Sequence, residues 1–238
     1  MSGHSKWSQI KHKKAATDAK RGRLFSRLIK EIAIAARLGG GDPDTNPRLR
    51  TAIATAKGEN MPNENIERAI ARGTGQLEGM HFEDAVFEGY GPGGVAVLVE
   101  TTTDNRNRTV GELRHLFSKW GGNLGESGCV AWMFNKKAYL TLPKERVEED
   151  TLMAIVLEAG ADDLRDDGSN WEVIGAPESL EALKQALAAK NLRPATAELS
   201  LLPQSTVAVE GGNASQLMRL LEALEEHDDV QHVYANFD

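Results

Sequence analysis

The chain has 238 residues, a net charge of -7 at pH 7, 40% hydrophobic residues and 26% charged residues. This length and composition predict a globular protein of more than one domain. No apolar run approaches the roughly 18 residues of a membrane span, and no apolar core of a secretory signal is found near residue 10. The single cysteine, Cys129, fits a reducing compartment. We therefore expect a cytoplasmic protein with no membrane partner.

The charge is unevenly distributed along the chain. Residues 1–80 contain 15 Lys and Arg against 8 Asp and Glu, whereas residues 81–238 contain 13 against 27. A basic region attached to an acidic body is typical of a module that binds a polyanion such as nucleic acid. The alternative is that one half merely has a cationic, solvated face. Attraction of this kind is electrostatic and implies nothing about sequence specificity.

The stretch GHSKWSQIKHKK at residues 3–14 is rich in Lys and has little hydrophobic periodicity, which indicates a flexible arm. Its candidate phosphate contacts are Lys6, Lys11, Lys13 and Lys14. Trp7 is a candidate for stacking on an exposed base, or else it packs against the next helix. A mitochondrial transit peptide is a further alternative, because such segments are also basic and Ser-rich.

The arm leads into a helix predicted from about Ala15 to Leu38. Its apolar residues recur at helical spacing and form one stripe that faces a core: Phe25, Leu28, Ile29, Ile32 and Ala36. Its basic residues Lys20, Arg23, Arg27, Lys30 and Arg37 are predicted to lie on the opposite, solvent-facing side. The candidate nucleic-acid contacts in this helix are Lys20, Arg21, Arg23, Arg27 and Lys30.

Two shorter amphipathic helices follow. Asn46 and Pro47 form a typical helix start, and the helix they begin is predicted to end near Lys57. The next is predicted from Pro62 to the stop at Gly73. Three such helices make a small helical domain. Two of them joined by a short turn could form a helix-turn-helix, although many three-helix units have no DNA function.

Beyond a linker at residues 73–79, strands alternate with helices. We predict strands at 93–103 and 129–134 around a helix at 109–122, in which Thr109 and Glu112 form a capping box. From residue 138 the order of elements is β-α-β-β-α-β, which is that of a ferredoxin-like unit. The sequence thus predicts an α+β protein of three domains: 1–80; 81–136 with 206–238; and 137–205, inserted in the second. One continuous larger sheet is the alternative.

Signatures of catalysis or metal binding are not found in the sequence. The six histidines show no metal-ligand spacing, and the acidic stretch DDLRDDGSNWEVI departs from a calcium loop at Arg165 and Ile174. GYGPGG lacks the Lys of a phosphate-binding loop. We expect no cofactor, no metal, no catalytic residues and no enzymatic activity.

One further stretch, TDNRNRT at residues 103–109, places Arg106 and Arg108 just before a predicted helix start. Such an arrangement is suited to an anion site. The alternative is that these arginines pair with neighbouring carboxylates.

Several long motifs, in order, resemble the YebC/PmpR family, which includes the mitochondrial translational activator of cytochrome c oxidase. They are GHSKWSQIKHKKAATDAKRG, GGGDPDTNPRLR, NMPNENIERAI, GYGPGGVAV and TDNRNRTVGELRH. The resemblance implies three domains, helical and then two α+β, with the last inserted. It also implies a DNA-binding transcriptional regulator, or alternatively a ribosome-associated translation factor that binds ribosomal RNA. The family offers no assigned catalytic residues.

Overall fold

The computed structural model describes residues 18–77 and 82–237, with side chains in the first helix from residue 22 onward. Several predicted nucleic-acid contacts lie outside the described residues: Lys6, Trp7, Lys11, Lys13 and Lys14, together with the side chains of Lys20 and Arg21. Two compact units are formed. The larger unit comprises 18–77, 82–129 and 210–233, and the smaller unit comprises 130–209 and 234–237.

The larger unit begins with three helices: α1 (Asp18–Gly39), α2 (Pro47–Gly58) and α3 (Asn63–Gly73). Their shared core is built from the apolar stripes, with Leu28, Ile32, Leu49, Ala56 and Ile66 among its buried residues. Gly73 lies so close to α1 that a Cβ there would collide with the carbonyl oxygen of Ala33. This close contact fixes the crossing of α1 and α3.

Asn46 confirms the predicted start of α2. Its side-chain oxygen accepts a hydrogen bond from the Leu49 amide at 3.1 Å, as expected of an N-cap. Its Nδ2 donates to the carbonyl oxygens of Ala35 and Gly40, both at 2.8 Å. Asn46 is buried, so one side chain starts α2 and ties it to the end of α1.

A four-stranded sheet with the strand order β3-β1-β2-β8 completes the larger unit. Its elements are β1 (Glu83–Tyr90), β2 (Ala96–Thr103), α4 (Arg106–Lys119), β3 (Asn123–Leu124), and, at the end of the chain, α7 (Gly211–Glu225) and β8 (Val230–Ala235). The predicted strand at 129–134 is wrong, since Ala131–Met133 is a short 3-10 turn. The strand β1 was not predicted, because its sequence EDAVFEGY mixes β-formers with Glu, Asp and Gly.

The smaller unit contains β4 (Phe134–Pro143), α5 (Glu149–Glu158), β5 (Ala161–Asp166), β6 (Asn170–Gly175), α6 (Leu180–Ala189) and β7 (Thr196–Pro203). Its strand order is β5-β6-β4-β7, and the β-α-β-β-α-β sequence of elements is that of a ferredoxin-like unit. The two helices cover one face of the sheet through the buried residues Leu140, Leu152, Val173, Leu183 and Leu187.

The predicted fold class is confirmed: the chain is α+β, with N-terminal helices and two four-stranded antiparallel sheets. The sheet of the larger unit takes strands from both sides of residues 134–203, which supply the other sheet. The strand β4 runs through the predicted boundary between residues 136 and 137. The domain boundaries stay a prediction.

Candidate nucleic-acid interface

The predicted cationic row of α1 lies against the C-terminal end of α7. The Arg27 guanidinium donates through Nη2 to the carbonyl oxygen of Glu225, and Arg23 lies 3.7 Å from the Glu226 carboxylate. Lys30 Nζ donates to the Asp228 carbonyl oxygen at 2.9 Å. Helix C-termini attract cations because their last carbonyl groups have no intrahelical partner. Arg23, Arg27 and Lys30 are therefore engaged within the protein, instead of facing solvent as we predicted, whereas Arg37 is exposed as predicted.

Arg27 is incompletely satisfied in this position. Its Nε is buried and has no hydrogen-bond partner among the described residues. Burial disfavours the charged guanidinium and lowers the pKa of Arg27, although the nearby Glu225 opposes that effect. A guanidinium still stays charged at any physiological pH. Arg27 is thus charged in its contact with α7, and its Nε–H has no acceptor among the described residues.

Asp229, four residues after the end of α7, holds Lys30 of the cationic row. Its carboxylate is almost fully buried, with 3% of the side chain exposed, and it accepts hydrogen bonds from Lys30 Nζ at 2.6 Å and Arg108 Nη2 at 2.7 Å. Thr109 Oγ1 donates to it at 2.7 Å. Burial alone would raise the pKa of Asp229, but the hydrogen bonds from Lys30, Arg108 and Thr109 outweigh it and lower the pKa. Asp229 therefore ties α1 to the start of α4.

This cluster also changes the predicted start of α4. The helix begins at Arg106, and its N-cap is Asn105, whose side chain accepts from the Arg108 amide at 3.1 Å. The predicted capping box of Thr109 and Glu112 is wrong, since Thr109 lies inside the helix and directs its hydroxyl to Asp229. The buried carboxylate of Asp229, 120 residues further along the chain, thus binds the Thr109 hydroxyl that the sequence suggested as a helix cap.

Arg106 and Arg108, the two candidates for an anion site, differ in their surroundings. Arg108 pairs with Asp104 at 2.9 Å as well as with Asp229, which is the carboxylate pairing named as the alternative. The hydrogen bond to Asp229 raises the pKa of Arg108. Arg106 is exposed, and its guanidinium lies 5.8 Å from the centre of the Phe87 ring. Nucleic-acid contact by either residue stays a prediction.

The structure brings together three potential metal ligands that the spacing of histidines does not reveal. The ligand atoms of Glu112, His227 and Asp229 lie within 4.8 Å of one another. However, His227 Nδ1 accepts from the Asp229 amide at 3.1 Å, and its Nε2 lies 2.8 Å from Glu112 Oε2. Because the Asp229 carboxylate is also held by two cations, these atoms favour an ion-pair cluster over a metal site.

Among the described residues, several other cations of the three-helix region have no anionic partner. In the described residues, Arg37, Lys57 and Arg72 are exposed and make no ion pair. Arg50 donates to the carbonyl oxygens of Pro43 and Asp44, and makes no ion pair within the part of the chain that the structure describes. In contrast, Arg48 is held by Glu31 at 2.7 Å and Asp84 at 2.9 Å, and Arg68 by Glu64 at 2.5 Å. The sequence alone did not distinguish the unpaired cations from the paired ones.

Arg37 and Arg72 share one cavity of about 460 Å³. Its floor is apolar and comes from Ala33, Ile34 and Ala36, and Phe82 also lines it. A larger cleft of about 990 Å³ lies around Asp229, where Arg23, Lys30 and Arg108 alternate with carboxylates. Only the smaller cavity therefore presents positive charge that carboxylates in the described residues do not neutralise.

Two domain families match nearly the whole sequence. "TACO1/YebC protein N-terminal domain" matches residues 5–76, and "TACO1/YebC second and third domain" matches residues 82–237. The chain belongs to the TACO1/YebC family. Membership of TACO1/YebC confirms the resemblance seen in the sequence motifs.

Relatives within the TACO1/YebC family are similar over their full length. Proteins named "Probable transcriptional regulatory protein" are 59% identical in Koribacter versatilis and 60% in Desulfatibacillum aliphaticivorans, each over 100% of this chain and 96% of the relative. The one in Carboxydothermus hydrogenoformans is 55% identical over 100% of this chain and 99% of its own length.

A solved crystal structure is that of a conserved hypothetical protein from Aquifex aeolicus, whose sequence is 52% identical to this TACO1/YebC chain. It superposes with a TM-score of 0.87, covering 98% of this chain and 96% of that one. Over residues 18–77 and 82–237, no helix is both long and apolar enough to cross a membrane.

Proposed function

We propose that this protein is a nucleic-acid-binding regulator, acting as a DNA-binding transcriptional regulator, and that it works by binding and not by catalysis. The observation that carries the proposal is the concentration of positive charge in residues 1–80 of an otherwise acidic chain. Phosphate neutralisation by Lys and Arg supplies most of the affinity of such proteins for nucleic acid. The relatives are named probable transcriptional regulatory proteins, which supports a regulatory role.

The contacts of the described cations guide which of them we expect to bind nucleic acid. Because Arg27 and Lys30 are engaged by α7 and Asp229, we assign the main role to the Lys-rich arm together with the unpaired Arg37 and Arg72. Within residues 18–77 and 82–237, Arg37 and Arg72 make no ion pair, so we expect their charge to be available to phosphates.

Sequence discrimination by α3 as a recognition helix is disfavoured. The N-terminal part of a recognition helix contacts base edges, but in α3 that part carries Glu64 and Glu67, and Arg68 is paired with Glu64 at 2.5 Å. Carboxylates there repel the phosphate backbone. We therefore expect binding mainly through phosphates, with a specific-to-non-specific ratio at or below about 10³.

The test compares two triple variants with equal loss of charge. Lys11→Ala/Lys13→Ala/Lys14→Ala removes lysines from the arm, and Lys136→Ala/Lys184→Ala/Lys190→Ala removes lysines from the smaller unit. On a DNA duplex, the arm variant should lower the slope of log affinity against log salt by about 0.9 per lost contact, or about 2.7 in all. The control variant should keep the wild-type slope.

A wild-type protein with no salt-dependent affinity for any nucleic acid would refute the proposal. Competition between one promoter fragment and scrambled DNA then separates the two family functions. Strong promoter preference supports the transcriptional one. Little preference, together with co-sedimentation with ribosomes that requires residues 1–14, would replace it with the ribosomal alternative.

A further inference from the structure

The cavity between α1 and α3 combines features that together suit one ligand. Arg37 lies in the last turn of α1 and Arg72 in the last turn of α3, and both line the cavity. Cations are favoured at these positions by the helix dipole. That effect explains why arginines are tolerated here, and in the residues that the structure describes neither guanidinium makes a hydrogen bond or an ion pair.

The remaining wall of the cavity is apolar and aromatic. Ala33 and Ile34 are buried residues of α1 that form its floor, and half-buried Phe82 lies at its side. A volume of about 460 Å³ falls within the range of small-molecule sites, about 300–1,000 Å³. An apolar recess beside two guanidiniums that have no partner among the described residues fits a ligand with a flat apolar part and an anionic part.

We propose that this cavity binds one unstacked nucleotide of a single-stranded nucleic acid, with its base against the apolar wall and its phosphate on Arg37 and Arg72. Guanidinium groups bind phosphate oxygens in a bidentate manner and stack on bases. Phe82, over whose ring Lys30 Nζ lies 5.8 Å from the centroid, is an aromatic side chain of the kind on which single-stranded bases stack. The inference rests on the proposed function and adds the strand type.

Duplex DNA does not fit this arrangement. Its bases are stacked and paired inside the helix, so only its phosphates reach a surface cleft, whereas bases in single strands can be splayed out and enter a recess. The protein should therefore bind single strands more tightly than duplexes of equal length, and this preference should depend on the cavity. The cleft around Asp229 has no such role, since its cations Lys30 and Arg108 are paired with carboxylates.

The test uses two double variants of the full chain. Arg37→Ala/Arg72→Ala removes the cavity arginines, and Arg50→Ala/Lys57→Ala removes the same charge from α2, outside the cavity. All four residues are exposed, so both variants should fold, as checked by circular dichroism. Affinity for a short single-stranded RNA and for a DNA duplex of the same length is measured by fluorescence anisotropy over a range of salt concentrations.

The cavity variant should lose the preference for the single strand, and its salt slope on that strand should fall by about 0.7, for the one phosphate contact that the two arginines share. The control variant should keep the preference. An unchanged preference in the cavity variant, an equal loss in the control, or no single-strand preference in the wild type would overturn the inference.

Titration with AMP separates the cavity from the general function. Saturable shifts of the Arg37 and Arg72 side-chain NH signals in nuclear magnetic resonance, and of the Phe82 amide, would establish the cavity even if no polymer were bound. If the protein binds nucleic acid but AMP causes none of those shifts, the proposed function is retained and the cavity is rejected as a nucleotide site.

Discussion

Replacing Asp229 by Asn tests whether the buried ion-pair cluster holds α1 in place. The substitution keeps the shape of the side chain but removes its charge and one of its two acceptor oxygens. Lys30, whose side chain is only 14% exposed, then lacks an anionic partner. Arg108 keeps Asp104 at 2.9 Å. The damage should therefore fall mainly on the contact between α1 and the α7–β8 turn.

The magnitude follows from these contacts. Removing one partner of a buried ion pair costs about 3–5 kcal/mol, because the other charge stays buried and uncompensated. Arg108 keeps its ion pair with Asp104, and the Asn side chain keeps one acceptor oxygen. We therefore expect Asp229→Asn to cost about 3 kcal/mol, the lower end of that range. Since each 1.36 kcal/mol is a factor of ten, local opening should become about 100-fold more frequent.

Hydrogen exchange measured by mass spectrometry resolves this change by segment. Amides of α1 (Asp18–Gly39) and β8 (Val230–Ala235) should exchange about 100-fold faster in Asp229→Asn, while those of β6 (Asn170–Gly175) should not change. The matched control is Asp104→Asn. It removes the same charge from a more exposed partner of Arg108 and should cost at most about 1 kcal/mol.

Equal acceleration in the two variants would refute the reasoning, because it would mean that burial of Asp229 adds nothing. Acceleration of β6 to the same extent as α1 would also refute it, since the effect would then be global.

Three further predictions concern the larger unit. Because the pKa of Asp229 is lowered, its contribution to the free energy of unfolding is complete above the unfolded pKa of about 4 and constant at neutral pH, and it is lost as the pH falls below that value. Urea unfolding should therefore give a lower free energy of unfolding at pH 3 than at pH 6. The decline should be smaller in Asp229→Asn. Asn46→Ala removes an N-cap and two buried donors and should cost about 3 kcal/mol in the same assay, whereas a loss below about 1 kcal/mol would contradict the contacts described. Gly73→Ala should cost about 1–3 kcal/mol by forcing α3 away from Ala33, while Gly58→Ala, which meets no neighbouring atom, should leave stability unchanged or slightly higher.

Local patterns were sufficient to predict much of the fold. The apolar spacing of α1 and the Asn46–Pro47 start of α2 depend on neighbours a few residues away, and both are confirmed. The ferredoxin-like order of the smaller unit followed from elements in one contiguous segment. The strand β1 was missed because its pairing with β2, rather than its composition, makes it a strand.

The candidate site was harder to predict because its partners are distant in sequence. Arg27 and the carbonyl group it engages are 198 residues apart. A helical periodicity places Arg27 opposite the core stripe, but it cannot show that a second helix end covers that side. The acidic stretch EEHDD at residues 225–229, which begins at the last residue of α7, is the signal that could have suggested a partner for Arg23, Arg27 and Lys30.

The 198-residue separation between Arg27 and its partner also has a consequence during protein synthesis. At about 5–20 residues per second, α1 leaves the ribosome roughly 10–40 s before the residues that engage it. During that interval β4 to β7 are made as one contiguous stretch, so the smaller unit has all of its strands before the sheet of the larger unit receives β8. The cations Arg23, Arg27 and Lys30 are meanwhile without their final partners. A nascent chain therefore presents a more strongly positive α1 than the finished protein does, beside a ribosome whose own surface is rich in phosphate.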